Sequence, residues 1–450
     1  MAAPVASDGI LPRPTPRRLL LHLAMACPLI LQMNIAQPAW VHWRPPRQLP
    51  RLARRSKSLR VVSYNVLTTE YCNKRDYPRC DPMDLDAETR WSRVKEKLLV
   101  EIEKHNNNKE SVVFCLQEIT EEWAGRLHVL LQQRGYYFVS SHYGGRRSGH
   151  MGTALAWPYA SHCCVDFQVV CVADSVAISQ QQPPWLRRLR RHRFARPLAR
   201  AAELLRRRLV GSQRRDVEDA IVLARRRYNK ALFARLVDTR STSSSGEFCL
   251  GTYHMPCLFG GQVERMAMAI HATTLNRLAA GFRARAAGRT KSRVEVPLFL
   301  AGDFNIEASD SALLQAATKG TLDDEFGLLD ASWPRHRSVT VDLKSAYASS
   351  PGSGGQEPEF TNNAWPRFID EPFRGTLDYI LFARGAEADT TPQVEVRGVK
   401  KLPTAADLEE RGSGENKSYG GGATLHTFPD STEPSDHVLI AASFNLMNQS

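Results

Sequence analysis

Short apolar runs, each closed by one polar side chain, recur along this chain, and the sharpest is Leu298-Phe299-Leu300-Ala301-Gly302-Asp303-Phe304-Asn305. The run is too short for a helix and rich enough in Leu and Phe to be a buried strand. Side chains alternate along a strand, so Asp303 and Asn305 point one way while Phe304 turns back into the core. A carboxylate and an amide then meet at the mouth of a sheet. Five other polar positions stand the same way at strand ends: Asn65, Glu118, His254, Asp378, and the pair Asp436-His437.

The stretches between these ends alternate helix and strand. Residues 88–105 carry Trp91, Val94, Leu98 and Ile102 at helical spacing, and Thr120 caps a helix through Gln133 with Glu121 and Glu122 in its first turn. Strands are expected at 59–67, 111–118, 136–141, 151–157, 163–172, 230–237, 248–254, 376–382 and 437–446. A hairpin loop joins two of them at 241–246, residues 262–281 form a helix, and Ser309 caps a shorter one. Gly/Ser-rich loops are expected at 349–356 and 411–422. Strands alternating with helices, with hairpins among them, specify an α/β fold with mixed sheets.

Charge is localised. The chain of 450 residues has a net charge of +13, but residues 1–60 hold +9 and residues 182–215 hold +11, leaving the rest at −7. A mildly acidic body excludes a global field for polyanions, so any such contact comes from local patches. Residues 1–58 form a Pro/Arg-rich leader whose apolar stretch, 19–33, is broken by His22, Pro28 and Gln32 and is short for a membrane span. It suits a transit peptide to the mitochondrion or another organelle; Arg17-Arg18 before an apolar run also suits the secretory pathway. A disordered tail, on a protein of the cytoplasm or nucleus, is the alternative. The body, 59–447, carries an Arg-rich insertion at 182–227, read as basic helices over 185–210 interrupted at Pro197. Such a segment is either a solvated surface or a grip on RNA backbone or anionic lipid. The nine cysteines are odd in number and lack C-x-x-C spacing, which gives neither a zinc pattern nor a disulfide framework; they are read as reduced, with Cys115 a small core residue.

Buried strands that end in carboxylates are costly unless the charges are paired or hold a cation. The inventory here is oxygen and imidazole, which selects Mg²⁺, or Mn²⁺ in its place, over zinc. A hard cation beside a His–Asp pair suits hydrolysis of a phosphoester.

The order S-Y-N-V-L (63–67), L-Q-E (116–118), Y-H-M-P (253–256), G-D-F-N (302–305), L-D-Y-I-L (377–381) and S-D-H (435–437) resembles the endonuclease/exonuclease/phosphatase superfamily over residues 59–446. The resemblance implies a four-layer α/β sandwich, with two mixed β-sheets packed face to face and flanked by helices. It implies that Asn65 and Glu118 bind Mg²⁺ or Mn²⁺, with Asp436 at a second metal position. Asp303 would orient or deprotonate the attacking water, and Asn305 would hydrogen-bond the pentacoordinate phosphate. Asp378 would orient His437, and His254 would contact the scissile phosphate.

Among the branches, the deadenylase-like one, with poly(A) deadenylases, Angel proteins and 2′-phosphodiesterase, is the most similar. It shares Tyr77-Pro78-Arg79-Cys80, Phe360-Thr361-Asn362, and Phe373-Arg374-Gly375-Thr376-Leu377-Asp378. That resemblance implies a 3′–5′ exoribonuclease on single-stranded RNA, with Phe373 stacking on a base and Asn362 beside it in the substrate site. The chain departs from the branch at His150-Met151-Gly152, where an acidic residue is the rule, and at Phe259. The alternatives are an endonuclease, a sphingomyelinase-like or small-molecule phosphodiesterase, and an inactive RNA-binding scaffold.

Overall fold

In the computed structural model, the described residues are 57–106, 110–143, 150–176, 197, 212–239, 246–289, 296–322, 339–383, 394–414 and 426–446. Residues 1–56 of the 1–58 leader and the basic stretch 185–210, Pro197 apart, lie outside them, as does most of the 241–246 loop. Among the described residues there are fourteen strands: β1 (Lys57–Asn65), β2 (Ser111–Gln117), β3 (Tyr136–Tyr143), β4 (Met151–Pro158), β5 (His162–Cys171), β6 (Lys230–Asp238), β7 (Glu247–His254), β8 (Leu298–Asp303), β9 (Lys344–Ser345), β10 (Asn362–Ala364), β11 (Phe373–Gly375), β12 (Asp378–Ala383), β13 (Val394–Val399) and β14 (Ile440–Leu446). The helices among them are α1 (Pro82–Leu85), α2 (Ala87–Asn106), α3 (Glu121–Gln133), α4 (Val172–Ser175), α5 (Ser212–Ala224), α6 (Gln262–Arg289), α7 (Ser311–Lys319) and α8 (Ala405–Gly414).

Two six-stranded sheets form, in the orders β13-β14-β1-β2-β4-β3 and β5-β6-β7-β8-β12-β9. Each has one parallel pair at its centre, β1–β2 in the first and β7–β8 in the second, with antiparallel partners outside. Strand alternation sorts the apolar residues into layers. Val61, Val113 and Ile440 on one sheet meet Leu250, Phe299 and Ile380 on the other in the central core. Their neighbours Val62, Val112 and Ala441 turn outward onto Val94, Leu98 and Leu127 of α2 and α3. Leu298 and Leu300 turn outward onto α6 and α7. Helix, sheet, sheet, helix: this is the expected four-layer sandwich. The Phe299 and Phe444 rings, 4.8 Å apart between centroids, hold the two sheets in contact.

Local chemistry sets the ends. Thr120 Oγ1 accepts from Trp123 N at 3.1 Å and caps α3 as its sequence indicates. Asp310, not Ser309, caps α7: its carboxylate accepts from Leu313 N at 3.0 Å and is clamped by Arg265. The last strand begins at Ile440, because residues 436–438 bond instead to the β10 region (Asn363 N to Asp436 O 2.9 Å, Val438 N to Thr361 O 2.8 Å). Gly302 is required sterically: a Cβ there would lie 1.9 Å from the Tyr253 carbonyl oxygen on β7. All eight cysteines among the described residues are unbridged, and Cys115 is buried.

One buried histidine makes stability depend on pH. His271 on α6 donates from Nε2 to Ala224 O and accepts at Nδ1 from Tyr253 Oη, both at 2.8 Å, which requires the neutral ring. Burial holds its pKa down to about 4. The unfolded imidazole, with the ordinary value near 6.5, takes up a proton that the folded one refuses. This contribution is therefore complete above about pH 6.5 and is lost as pH falls towards 4, with a slope of about 1.4 kcal/mol per pH unit. Urea unfolding of wild type and His271→Gln at pH 4.5, 5.5 and 7 should show a stability difference that narrows with acid by about that slope.

Candidate active site

The polar strand ends converge. Asn65, Glu118, His254 and Asp303 stand at or just past the C-terminal ends of the two central parallel pairs, β1–β2 and β7–β8. In register, Asp303 sits between His254 on β7 and Asp378 at the start of β12. The three non-glycine residues with left-handed backbone among the described residues are Leu67 (φ 54°), Glu118 (φ 58°) and Asn305 (φ 50°). All three lie where the chain leaves these strands. Each costs on the order of 1–3 kcal/mol, and such strain persists only where the surroundings over-determine it.

Asp303 is the centre. Its Oδ2 accepts from Asn65 Nδ2 at 2.9 Å and lies 3.6 Å from Nε2 of both His254 and His437. Its Oδ1 accepts the Asn305 backbone N–H at 2.9 Å. Burial pushes its pKa up to about 6, against the pull of the positive His437. Glu118 accepts from Asn65 Nδ2 (3.1 Å) and Thr68 N (3.0 Å), and burial, then the charge of Asp436, raises its pKa. His437 Nδ1 meets Asp378 Oδ2 at 2.7 Å. Burial alone would lower the His437 pKa, but Asp378, Asp303 and Asp436 together outweigh it and hold the ring well above 6.5. Burial lowers the pKa of His254. Tyr143 Oη bonds His254 Nδ1 at 2.7 Å, and burial keeps that phenol protonated, so Tyr143 donates and His254 turns an Nε2–H to the carboxylates.

Asn305 gives Nδ2 to Met255 O at 2.9 Å. Asp436 accepts from Tyr77 Oη at 2.8 Å, with Ser435 Oγ at 3.4 Å. Phe373 lies half-buried on β11 with its ring over Gly375, where a Cβ would come within 2.8 Å of it. Asn362 is buried and pairs through its backbone with His437. The Asn65 amide turns its nitrogen to the carboxylates and its oxygen to Leu67 N (3.0 Å).

The donor set suits a hard cation. Ligand atoms of Glu118, His254 and Asp303 lie within 4.8 Å of one another, as do those of Asp303, Asp378 and His437. Two buried carboxylates on different sheets, with raised pKa values and, among the described residues, no lysine or arginine paired with either, fit a bound divalent ion that would offset their charge.

Three further residues hold this arrangement: Arg90, which lies in no motif, and Thr361 and Ser435, which lie in F-T-N and S-D-H but are given no role by the sequence. Arg90, fully buried on α2, donates at 2.6 Å to Val66 O, Leu67 O and Pro434 O. One guanidinium thus ties the turn after Asn65 to the loop before Asp436. Thr361 Oγ1 accepts from Leu377 N (2.9 Å) and Asp378 N (3.0 Å), fixing the start of β12. Ser435 Oγ donates to Asn65 O at 2.7 Å. An Arg at a position of the 88–105 helix that helical spacing turns inward was the one available sign of Arg90.

The model of the Endonuclease/Exonuclease/phosphatase family matches residues 62–437. No curated protein matches the sequence significantly. Among solved structures the chain is similar to ANGEL2, described as a 2′,3′-cyclic phosphatase (17% identity, 87% of this chain and 96% of that chain, TM-score 0.53). The complex of ANGEL2 with adenosine-2′,3′-vanadate gives 16% identity, 87% and 96% coverage, and a TM-score of 0.51. The human Nocturnin catalytic domain with bound sulfate gives 15% identity, 87% and 95% coverage, and a TM-score of 0.47. At these identities the likeness to ANGEL2 is one of fold, and it agrees with the sandwich described above.

Two outcomes are expected of this geometry. Asp378→Asn and His437→Ala should each lower kcat by roughly 10²- to 10⁴-fold, and the double variant should lose little more, because the two act as one unit. Additive losses would separate them. Arg90→Lys keeps the charge but loses the fork, and should cost about 2–4 kcal/mol in urea unfolding together with a fall in kcat. Stability and kcat equal to wild type would remove Arg90 from the support of the site.

Proposed function

The chain belongs to the endonuclease/exonuclease/phosphatase family, and from that membership we propose that it is a divalent-metal-dependent phosphodiesterase that trims single-stranded RNA from its 3′ end, releasing 5′-mononucleotides. Membership makes it a hydrolase of phosphate esters. The observation that carries the finer reading is the placement of Phe373. Its β11 strand pairs with β10, and β10 bonds directly to the segment bearing His437 (Asn363 N to Asp436 O 2.9 Å). A partly buried aromatic is thereby carried on the strand pair that bonds to the His437 segment, where a terminal base would stack and a duplex, whose bases stay stacked on each other, would not. Stacking is tolerant of base identity, so a preference for adenine is modest unless other contacts read its edge.

The chain's own residues divide the work. Glu118 would hold Mg²⁺ or Mn²⁺, with Asn65, His254 and Asp436 around it. Such a cation, when bound, polarises a phosphoryl oxygen and neutralises charge on it. Asp303, raised by burial, is a stronger base than an ordinary aspartate and takes the proton of the attacking water. His437, kept protonated by its carboxylate neighbours and held by Asp378, donates from Nε2 to a phosphoryl oxygen. His254, neutral and oriented by Tyr143, gives a second N–H. Asn305 has one amide N–H on Met255 O and a second to give to the phosphate as charge develops.

A second reading is favoured by the ANGEL2 likeness: the same groups would open a terminal 2′,3′-cyclic phosphate. The test is end-labelled oligo(A), mixed RNA, single-stranded DNA, an oligomer ending in a 2′,3′-cyclic phosphate, and sphingomyelin, each with Mg²⁺, Mn²⁺ or EDTA. A ladder receding from the 3′ end, silent in EDTA and nearly abolished in Glu118→Ala, is the expected result. Cleavage of circular single-stranded RNA, or faster hydrolysis of duplex DNA than of oligo(A), would overturn the exonuclease reading. Full turnover in EDTA would overturn the metal.

A further inference from the structure

Apart from Phe373, a pair of aromatic rings stands on the Glu118 side of the site. Tyr71 lies in the loop after β1 and His150 directly before β4. Their rings meet edge to face with centroids 5.7 Å apart and an interplanar angle of 82°. Tyr71 Oη and His150 Nε2 are 3.2 Å apart. One residue fixes both to the catalytic centre. Thr68 gives its backbone N–H to Glu118 Oε2 (3.0 Å) and its hydroxyl to His150 O (2.8 Å), and its carbonyl oxygen accepts from Tyr71 N (3.2 Å). Tyr71 nevertheless remains 46% exposed. Burial and then the nearby Glu118 charge hold its phenol above its usual range, which agrees with a ring close to the carboxylate.

We infer that Tyr71 and His150 form a nucleobase-stacking platform on the Glu118 flank of the site, holding the base next to the scissile phosphate. The inference rests on the nucleic-acid reading above. The chemistry suits a base. An edge-to-face pair leaves both faces of the edge-on ring open for a third ring, and every base has a π face. Locking two side chains together costs rotamer freedom, and here that cost is met before any ligand arrives, which favours binding. Neither ring carries negative charge, so a sugar–phosphate backbone approaches without repulsion from them. Packing gives no reason for this arrangement, because a ring exposed over almost half its surface adds little to a core.

The experiment compares an oligo(A) hexamer with an abasic hexamer of the same length and charge, using Tyr71→Ala, Tyr71→Trp and His150→Ala beside wild type. Tyr71 is exposed, so its variants should unfold at the wild-type midpoint. Tyr71→Ala should raise KM for oligo(A) by about tenfold with kcat within about twofold, Tyr71→Trp should restore it, and KM for the abasic oligomer should not move. His150→Ala, which frees the Tyr71 ring, should show a smaller rise of the same kind. Equal KM for oligo(A) in wild type and Tyr71→Ala would overturn the platform and leave the exonuclease reading standing. A KM that rises equally for both oligomers would also overturn it, since the contact would then be with the backbone. Wild type that cleaves neither oligomer would overturn both readings.

Discussion

A single amide joins the two sheets where they open. Glu118 belongs to one sheet and Asp303 to the other, and their carboxylates repel in a place with little water. Asn65 Nδ2 donates to both, at 3.1 and 2.9 Å. Aspartate at this position would add a third negative charge, and glutamine would move the nitrogen by a methylene. The amide is itself held on two sides, through Leu67 N on its oxygen and Ser435 Oγ on its backbone carbonyl. Everything polar in the site is placed relative to this bridge.

Around it the backbone is strained and the surroundings are stiff. Leu67, Glu118 and Asn305 all take left-handed conformations, and each needs a neighbour that forbids relaxation. Arg90 supplies one such constraint by holding Val66, Leu67 and Pro434. Gly302 supplies another by letting β8 approach Tyr253 so closely that no side chain fits. Beneath this layer the sandwich is ordinary apolar packing, with Phe299, Phe382 and Phe444 in contact across the sheets. Conventional core packing at one end of the strands supports an unconventional backbone at the other.

Two histidines equidistant from one carboxylate end in opposite protonation states. Both face Asp303 at 3.6 Å. His437 has a second carboxylate on its other nitrogen, and the summed negative charge overcomes burial. His254 has a phenol there instead, and burial prevails. Environments that push like groups apart are how one site offers both a charged and a neutral donor. Two aromatics lie on segments attached to this centre: Phe373 on β11, which pairs with β10 next to His437, and Tyr71 in the loop that Thr68 ties to Glu118.

Strand periodicity is local, and so the apolar runs, their polar ends, the Thr120 cap and the order of G-D-F-N and S-D-H were all legible in the sequence. The layer each residue enters follows from the same alternation of two. What the sequence left open depends on contacts between distant positions. That Asn65 would bridge two carboxylates, one of them 238 residues away, has no local signature. Nor has the attachment of Tyr143 to His254 across 111 residues, or of Tyr77 to Asp436 across 359. Residue type alone points to Ser309 as the cap, and only the Arg265 clamp and the Leu313 N–H put the cap on the next residue, Asp310. Residue type and spacing determine which side chains arrive at the open ends of the strands. Which atoms then face each other, and hence which groups keep their protons, is decided by burial and long-range pairing, because those exist only once the two sheets have closed on each other.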